Sequence, residues 1–192
     1  MKLSNEDYVV EIKAKSKDCE DISKSQHFDH VFVIEDSDYF ASFAIDIHDL
    51  VRGKIFNIAI ICGWCMPSKH IAILEESVLL LLTQATLAAI DLKTMTLLRQ
   101  REVVSLGTAF GLYPFGENYL VHGELDIVML DRQLEKLWSF SARDIFALPS
   151  GEEAFEIIGE RIVVRDWMAY QYTLDQGGNL ISEEYIGDKS VL

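Results

Sequence analysis

The chain has 192 residues, 49% of them hydrophobic and 25% charged, and carries 31 acidic against 17 basic side chains for a formal net charge of −14. A chain of this length and composition buries roughly 70% of the surface its unfolded form exposes, so it is a packed globular protein that needs neither a disulfide nor a metal to hold its fold. The excess of acid disfavours a nucleic-acid partner, whose phosphates are neutralised by Lys and Arg, and an anionic membrane surface; it favours a basic protein partner.

Met1 to Tyr8 hold two acids ahead of any apolar run, which is not the layout of a secretory leader. Residues 9–12 alternate as a strand does and 13–26 are polar, so 1–27 is expected to be an N-terminal extension or edge strand. The apolar run 58–66 is about half the length a membrane-spanning helix needs. Cys19, Cys62 and Cys65 are an odd, sparse set, which suits a reducing compartment, and the expected location is cytoplasmic.

Cys62-Gly63-Trp64-Cys65 closes the apolar run 55–61 and is the motif with the most obvious chemistry, because a Cys-x-x-Cys pair can lower a thiol pKa and cycle through a disulfide. That chemistry uses a helix N-terminus after the strand. Here Met66-Pro67-Ser68-Lys69-His70 leads into another β-like run, so the two thiols are expected to be buried as small hydrophobes. The competing possibility is a thiol-redox or zinc centre in which Cys62 and Cys65 join His27 and His30, since two Cys and two His form a zinc ligand set. No catalytic residue, metal ligand or cofactor is assigned on the primary reading.

An apolar pair followed by Asp recurs at Asp46, Asp91, Asp131 and Asp175, and the last three follow an acid, Glu76, Glu117 and Glu160, at similar distance. Between these markers lie pairs of short apolar runs joined by a turn: 78–83 and 86–91, 118–122 and 125–131, 161–165 and 168–175. A third run follows each Asp, at 96–103, 134–140 and 179–185. A fourth precedes each acid, at 71–74, 110–115 and 154–158. The Asp carboxylates are suited to accept turn amides, and Gly177-Gly178 can supply the positive φ of a tight hairpin. The chain is therefore expected to be all-β, one domain of about four antiparallel blade-like units at 28–69, 70–108, 109–150 and 151–192, forming a small closed ring or an open array.

Leu87-Ala88-Ala89-Ile90-Asp91-Leu92-Lys93-Thr94 resembles the PQQ-like repeat, a WD-like propeller blade with the pattern Ala-x-Asp-x-x-Thr-Gly-x-x-x-Trp. Met95 stands in place of the Gly and Arg99 in place of the Trp, while the next unit restores a Trp, Trp138, one residue early. The resemblance implies propeller architecture. Larger members hold a quinone or serve as noncatalytic assembly scaffolds, and the many-blade quinone site has no counterpart here.

No nucleophile elbow, phosphate loop or dinucleotide fingerprint is present. Glu152-Glu153 and Glu183-Glu184 are adjacent acids, which a strand points to opposite faces. Of Trp138, Trp167, Tyr170 and Tyr172, alternation puts at least half in the core. The expected function is a noncatalytic protein-binding module, of inhibitor or immunity type, for a basic partner.

Overall fold

The structure, a computed structural model, describes residues 1–15, 27–35, 41–62 and 69–187. Every regular element among the described residues is a β-strand, and the fold is all-β. Tertiary contacts group the chain into two compact units, Met1–Tyr113 and Pro114–Leu192.

The first sheet contains β1 (Lys2–Ser4), β2 (Tyr8–Lys15), β3 (His30–Val33), β4 (Ala41–Asp49) and β5 (Lys54–Cys62), in the order β1-β2-β4-β5-β3. Three four-stranded sheets follow, each in simple chain order: β6 (Ala72–Glu75), β7 (Val78–Leu82), β8 (Thr86–Asp91) and β9 (Thr96–Glu102); β10 (Ala109–Phe115), β11 (Asn118–Gly123), β12 (Asp126–Leu130) and β13 (Lys136–Ser141); β14 (Phe155–Ile158), β15 (Arg161–Arg165), β16 (Tyr170–Leu174) and β17 (Leu180–Tyr185). The pairing is antiparallel apart from β3, which runs parallel to β5.

The repeat rests on its aspartates. Asp91 Oδ1 accepts the Lys93 amide at 2.8 Å and its Oδ2 accepts the Thr94 hydroxyl at 2.9 Å. Asp131 Oδ1 takes the amides of Gln133 and Glu135 at 2.8 and 2.9 Å, and Asp175 Oδ1 those of Gly177 and Asn179 at the same two distances. All three carboxylates cap the turn from the third to the fourth strand of their sheet, and each turn contains one left-handed residue: Met95 (φ 54°), Leu134 (φ 63°) and Gly178 (φ 78°). Burial raises the Asp91 pKa, but hydrogen bonds from Lys93, Thr94 and Ser77 outweigh it and hold the carboxyl below its ordinary value. Asp175 is likewise lowered, chiefly by the Asn179 side chain. Because a hydrogen bond to a charged acceptor is worth more than a neutral one, Asp91→Ala and Asp131→Ala are each expected to cost about 1 to 2 kcal/mol, read from urea midpoints, with Asp175→Ala shifting the same way.

Asp46 does not belong to this set. It lies within β4, where its Oδ1 accepts from Asn57 Nδ2 at 2.9 Å and its Oδ2 from Lys13 Nζ at 2.7 Å. The equivalent turn residue is Asp49, 2% exposed, whose Oδ1 accepts the Arg52 amide at 2.8 Å ahead of Gly53 (φ 63°). Register confirms the equivalence: Tyr8 faces Asp49 as Val78 faces Asp91, and Leu50 donates to the Asp7 carbonyl as Leu92 does to that of Ser77, both at 2.8 Å. Residues 1–15 thus supply the first two strands of the first sheet, and Tyr8–Lys15 is not an edge strand: β1 lies on one side of it and β4 on the other. The alternation of Tyr8, Val10 and Ile12, all buried, needs a partner on that face, which an extension would lack.

Within the first unit, Val10, Ile12, Phe43, Ile45, Ile47, Ile58 and Ile60 pack against Leu79, Leu81, Ala88 and Ile90 of the second sheet in one core. Burying a side chain of this size stabilises by about 1.5 to 3 kcal/mol. The second unit adds an aromatic cluster to an aliphatic core that includes Leu120, Val128, Ile162 and Val164. Phe140, Phe146 and Tyr172 have ring centroids 5.6 to 6.4 Å apart, and Trp138 leans on the turn of the last sheet, its Nε1 donating to the Gln176 carbonyl at 3.0 Å. A Cβ on Gly178 would lie 2.5 Å from the Trp138 ring, so both the left-handed backbone and the contact require glycine there.

Candidate functional site

His30 and Cys62 do not come together. Cys62 ends β5 fully buried, in the core of the first unit. Cys65 lies outside the described residues. His30 pairs with Ile58, so Cys62 sits four residues further along β5, about 13 Å away at ~3.3 Å per residue. That span is beyond what a His and a Cys reaching for one zinc, with bonds of about 2.0 to 2.3 Å, can bridge. His27 is exposed, and no group of three or more His, Cys, Asp or Glu side chains among the described residues is arranged to hold a metal.

The acid and aromatic pairs are equally dispersed. Glu183 is held by Arg143, whose Nε donates to it at 2.8 Å and whose guanidinium also lies over the Tyr170 ring. Glu152 and Glu153 are exposed ahead of β14. Of the four aromatics expected to be at least half core, only Tyr172, 2% exposed, is buried; Trp138 and Tyr170 are half-buried and Trp167 is 49% exposed in a turn.

What departs from the repeat is the connection from β2 to β4. The second and third strands of the other sheets are joined by turns of a few residues; here residues 16–40 intervene and contribute β3 to the outside of the sheet. The end of that insertion is fixed against the second sheet. Ile34 donates its amide to Ile61 at 2.7 Å, its carbonyl accepts Gln100 Nε2 from β9, and Glu35 Oε1 accepts the Thr83 hydroxyl at 2.9 Å. The β7–β8 turn beneath is itself tied down. Thr83 N bonds to the Thr86 carbonyl at 2.8 Å, Val103 N to Ala85 O at 2.7 Å and Ala109 N to Gln84 O at 2.6 Å.

These contacts leave an open cleft of about 540 Å³ lined by Glu35, Gln84, Ala85, Thr86, Gln100 and Glu102. Its polar groups are two carboxylates, two primary amides and a hydroxyl, with no basic side chain among the described residues of the lining. The reason lies in strand alternation: Gln100 and Glu102 share one face of β9, and Arg99 and Arg101 occupy the other. A lining of this composition favours a cation over an anion. A second cleft of about 460 Å³ in the second unit, lined in part by Glu117, Glu160 and Gln176, is built from repeat turns, and Arg132 donates to the Glu117 carbonyl beside it.

No family model matches the sequence, and neither does any curated protein. Among solved structures, the fold is similar to dihydro-heme d1 dehydrogenase NirN in complex with DHE, with TM-score 0.52 and 8% identity over 78% of this chain and 35% of that one. It is also similar to a chain of the mitotic checkpoint complex, with TM-score 0.50 and 11% identity over 77% and 48% of the two chains. The WD40 domain of Neurospora crassa Pan2 matches at TM-score 0.45 and 13% identity, over 59% of this chain and 36% of that domain's chain. The chain spans about a third to a half of the length of these structures. At such identities the likeness is one of fold alone: antiparallel four-stranded sheets that are propeller-like.

Proposed function

We propose that this protein is a noncatalytic protein-binding module whose acidic surface engages a basic partner, as an inhibitor or immunity protein engages its target. The observation that carries the reading is the Glu35–Glu102 cleft, whose lining among the described residues holds two carboxylates and two amides and no basic side chain. A lysine or arginine of a partner would be drawn to the carboxylates of this lining, and the net charge of −14 would steer the encounter and repel polyanions.

The reading is tested by capture from the native host followed by titration of the purified partner. Glu102→Lys is expected to weaken binding by about tenfold or more, because like charge at an interface costs several kcal/mol when desolvated, and wild-type affinity should fall as salt rises. A partner that proves acidic, or one indifferent both to salt and to Glu102→Lys, would rule the reading out.

A further inference from the structure

The cleft is reached along β3, and β3 has the properties of a strand that accepts another strand. It is the outermost strand of its sheet among the described residues, with nothing paired to its far edge. Ile34 points its amide at Ile61, so by alternation the N–H and C=O groups of Val33 and Val31 point away from the sheet. The side chains of Val31 and Val33 are 44% and 55% exposed. Proteins usually blunt such an edge with charge. Among the other strands that end their sheets, β9 carries Arg99 and Arg101, β13 carries Lys136 and β17 has Glu183 engaged by Arg143, while β10, also uncharged, carries Pro114 instead. The stretch His30-Val31-Phe32-Val33 has no Lys, Arg, Asp or Glu, and it runs directly into Glu35 and the cleft.

We propose that β3 is a strand-addition site, in which an extended segment of the basic partner pairs along its free edge, covers Val31 and Val33, and delivers a Lys or Arg to Glu102 in the cleft. This rests on the binding-module reading above and specifies how the partner is held. Main-chain bonds to the edge would supply affinity, and the alternate side chains would supply selectivity. The charge of the chain argues for a basic occupant and against a second copy of itself.

The probe is a short synthetic peptide of alternating lysine and valine, titrated against the full chain at low salt by fluorescence anisotropy, with a glutamate–valine peptide as control. Val33→Pro removes an outward-facing N–H and no bond of the sheet, and Val31→Lys places a positive charge on the exposed face; circular dichroism checks that both remain folded. Binding of the basic peptide only, weakened about tenfold or more by either variant, is the expected result. If Glu102→Lys weakens the peptide and neither β3 variant does, strand addition is overturned while a basic partner stands. Equal binding of both peptides, or no binding by the wild type, also overturns strand addition, and in the first case the charge-based reading falls with it.

Discussion

Lowering the pH from 7 to about 4 is expected to cost the second unit about 3 kcal/mol through one residue, His122. The side chain is 6% exposed near the end of β11, stacked on Phe155 with centroids 5.0 Å apart, and its Nε2 lies 3.0 Å from the Phe146 carbonyl. Burial lowers its pKa from 6.5 to about 4, against smaller opposing effects of the Phe146 carbonyl and Glu153. In the unfolded chain the imidazole protonates at its ordinary pKa, so between the two values the unfolded state binds more protons than the folded one. Stability is therefore fully present above about 6.5, is lost as pH falls towards 4, and levels off below it. The pKa difference, at about 1.4 kcal/mol per pH unit, sets the magnitude. His122→Gln keeps a donor for Phe146 but cannot titrate. The stability gap between wild type and this variant, measured by urea unfolding at pH 7 and pH 4, should shift by that amount in the variant's favour. A gap that does not move with pH would show that His122 is not held neutral.

The other large effect is expected at Asp166, a carboxylate with no exposed surface. It closes the turn from β15 to β16: Oδ1 accepts the Tyr170 amide at 2.9 Å and Oδ2 accepts the Tyr172 hydroxyl at 2.8 Å. Burial, then the hydrogen bond and charge of Asp166, push the Tyr172 hydroxyl up to about 12, so it stays protonated and remains a donor throughout the physiological range. Asp166→Ala leaves both donors buried without their acceptor, at roughly 1 to 3 kcal/mol apiece, and should lower stability by about 3 kcal/mol or more. Tyr172→Phe should cost less alone. The double variant should cost less than the sum, because the second change removes one of the stranded donors. Strict additivity in urea unfolding would mean that the two groups do not act together.

The aspartate repeat and its strands were legible because each carboxylate does local work: a turn amide two to four residues away is within reach of sequence reasoning. The finer register slipped at one point. Glu76 has φ 48° and occupies the place of Gly116 (φ 58°) and Gly159 (φ 60°), so Ser77, rather than Glu76, corresponds to Glu117 and Glu160. An acid in a glycine's position looks like the recurring partner when only spacing is compared. The first sheet was harder to read because the insertion at 16–40 separates β2 from β4 and makes Asp46 appear to be the marker that Asp49 is. The cleft was not legible at all. Glu35 and Gln100 are brought together by tertiary packing, and no local pattern links them. The usable signal was the long polar connection itself, since extra length between two strands of a repeat marks an added element.

The most direct test is amide chemical-shift mapping of isotopically labelled protein titrated with the alternating lysine–valine peptide. Shifts are expected to concentrate at Val31, Val33, Glu35, Thr86, Gln100 and Glu102. Shifts centred instead on the exposed acids Glu152, Glu153 and Glu156, or on the Glu117–Glu160 cleft, would contradict this by showing that the basic probe is held elsewhere on the chain.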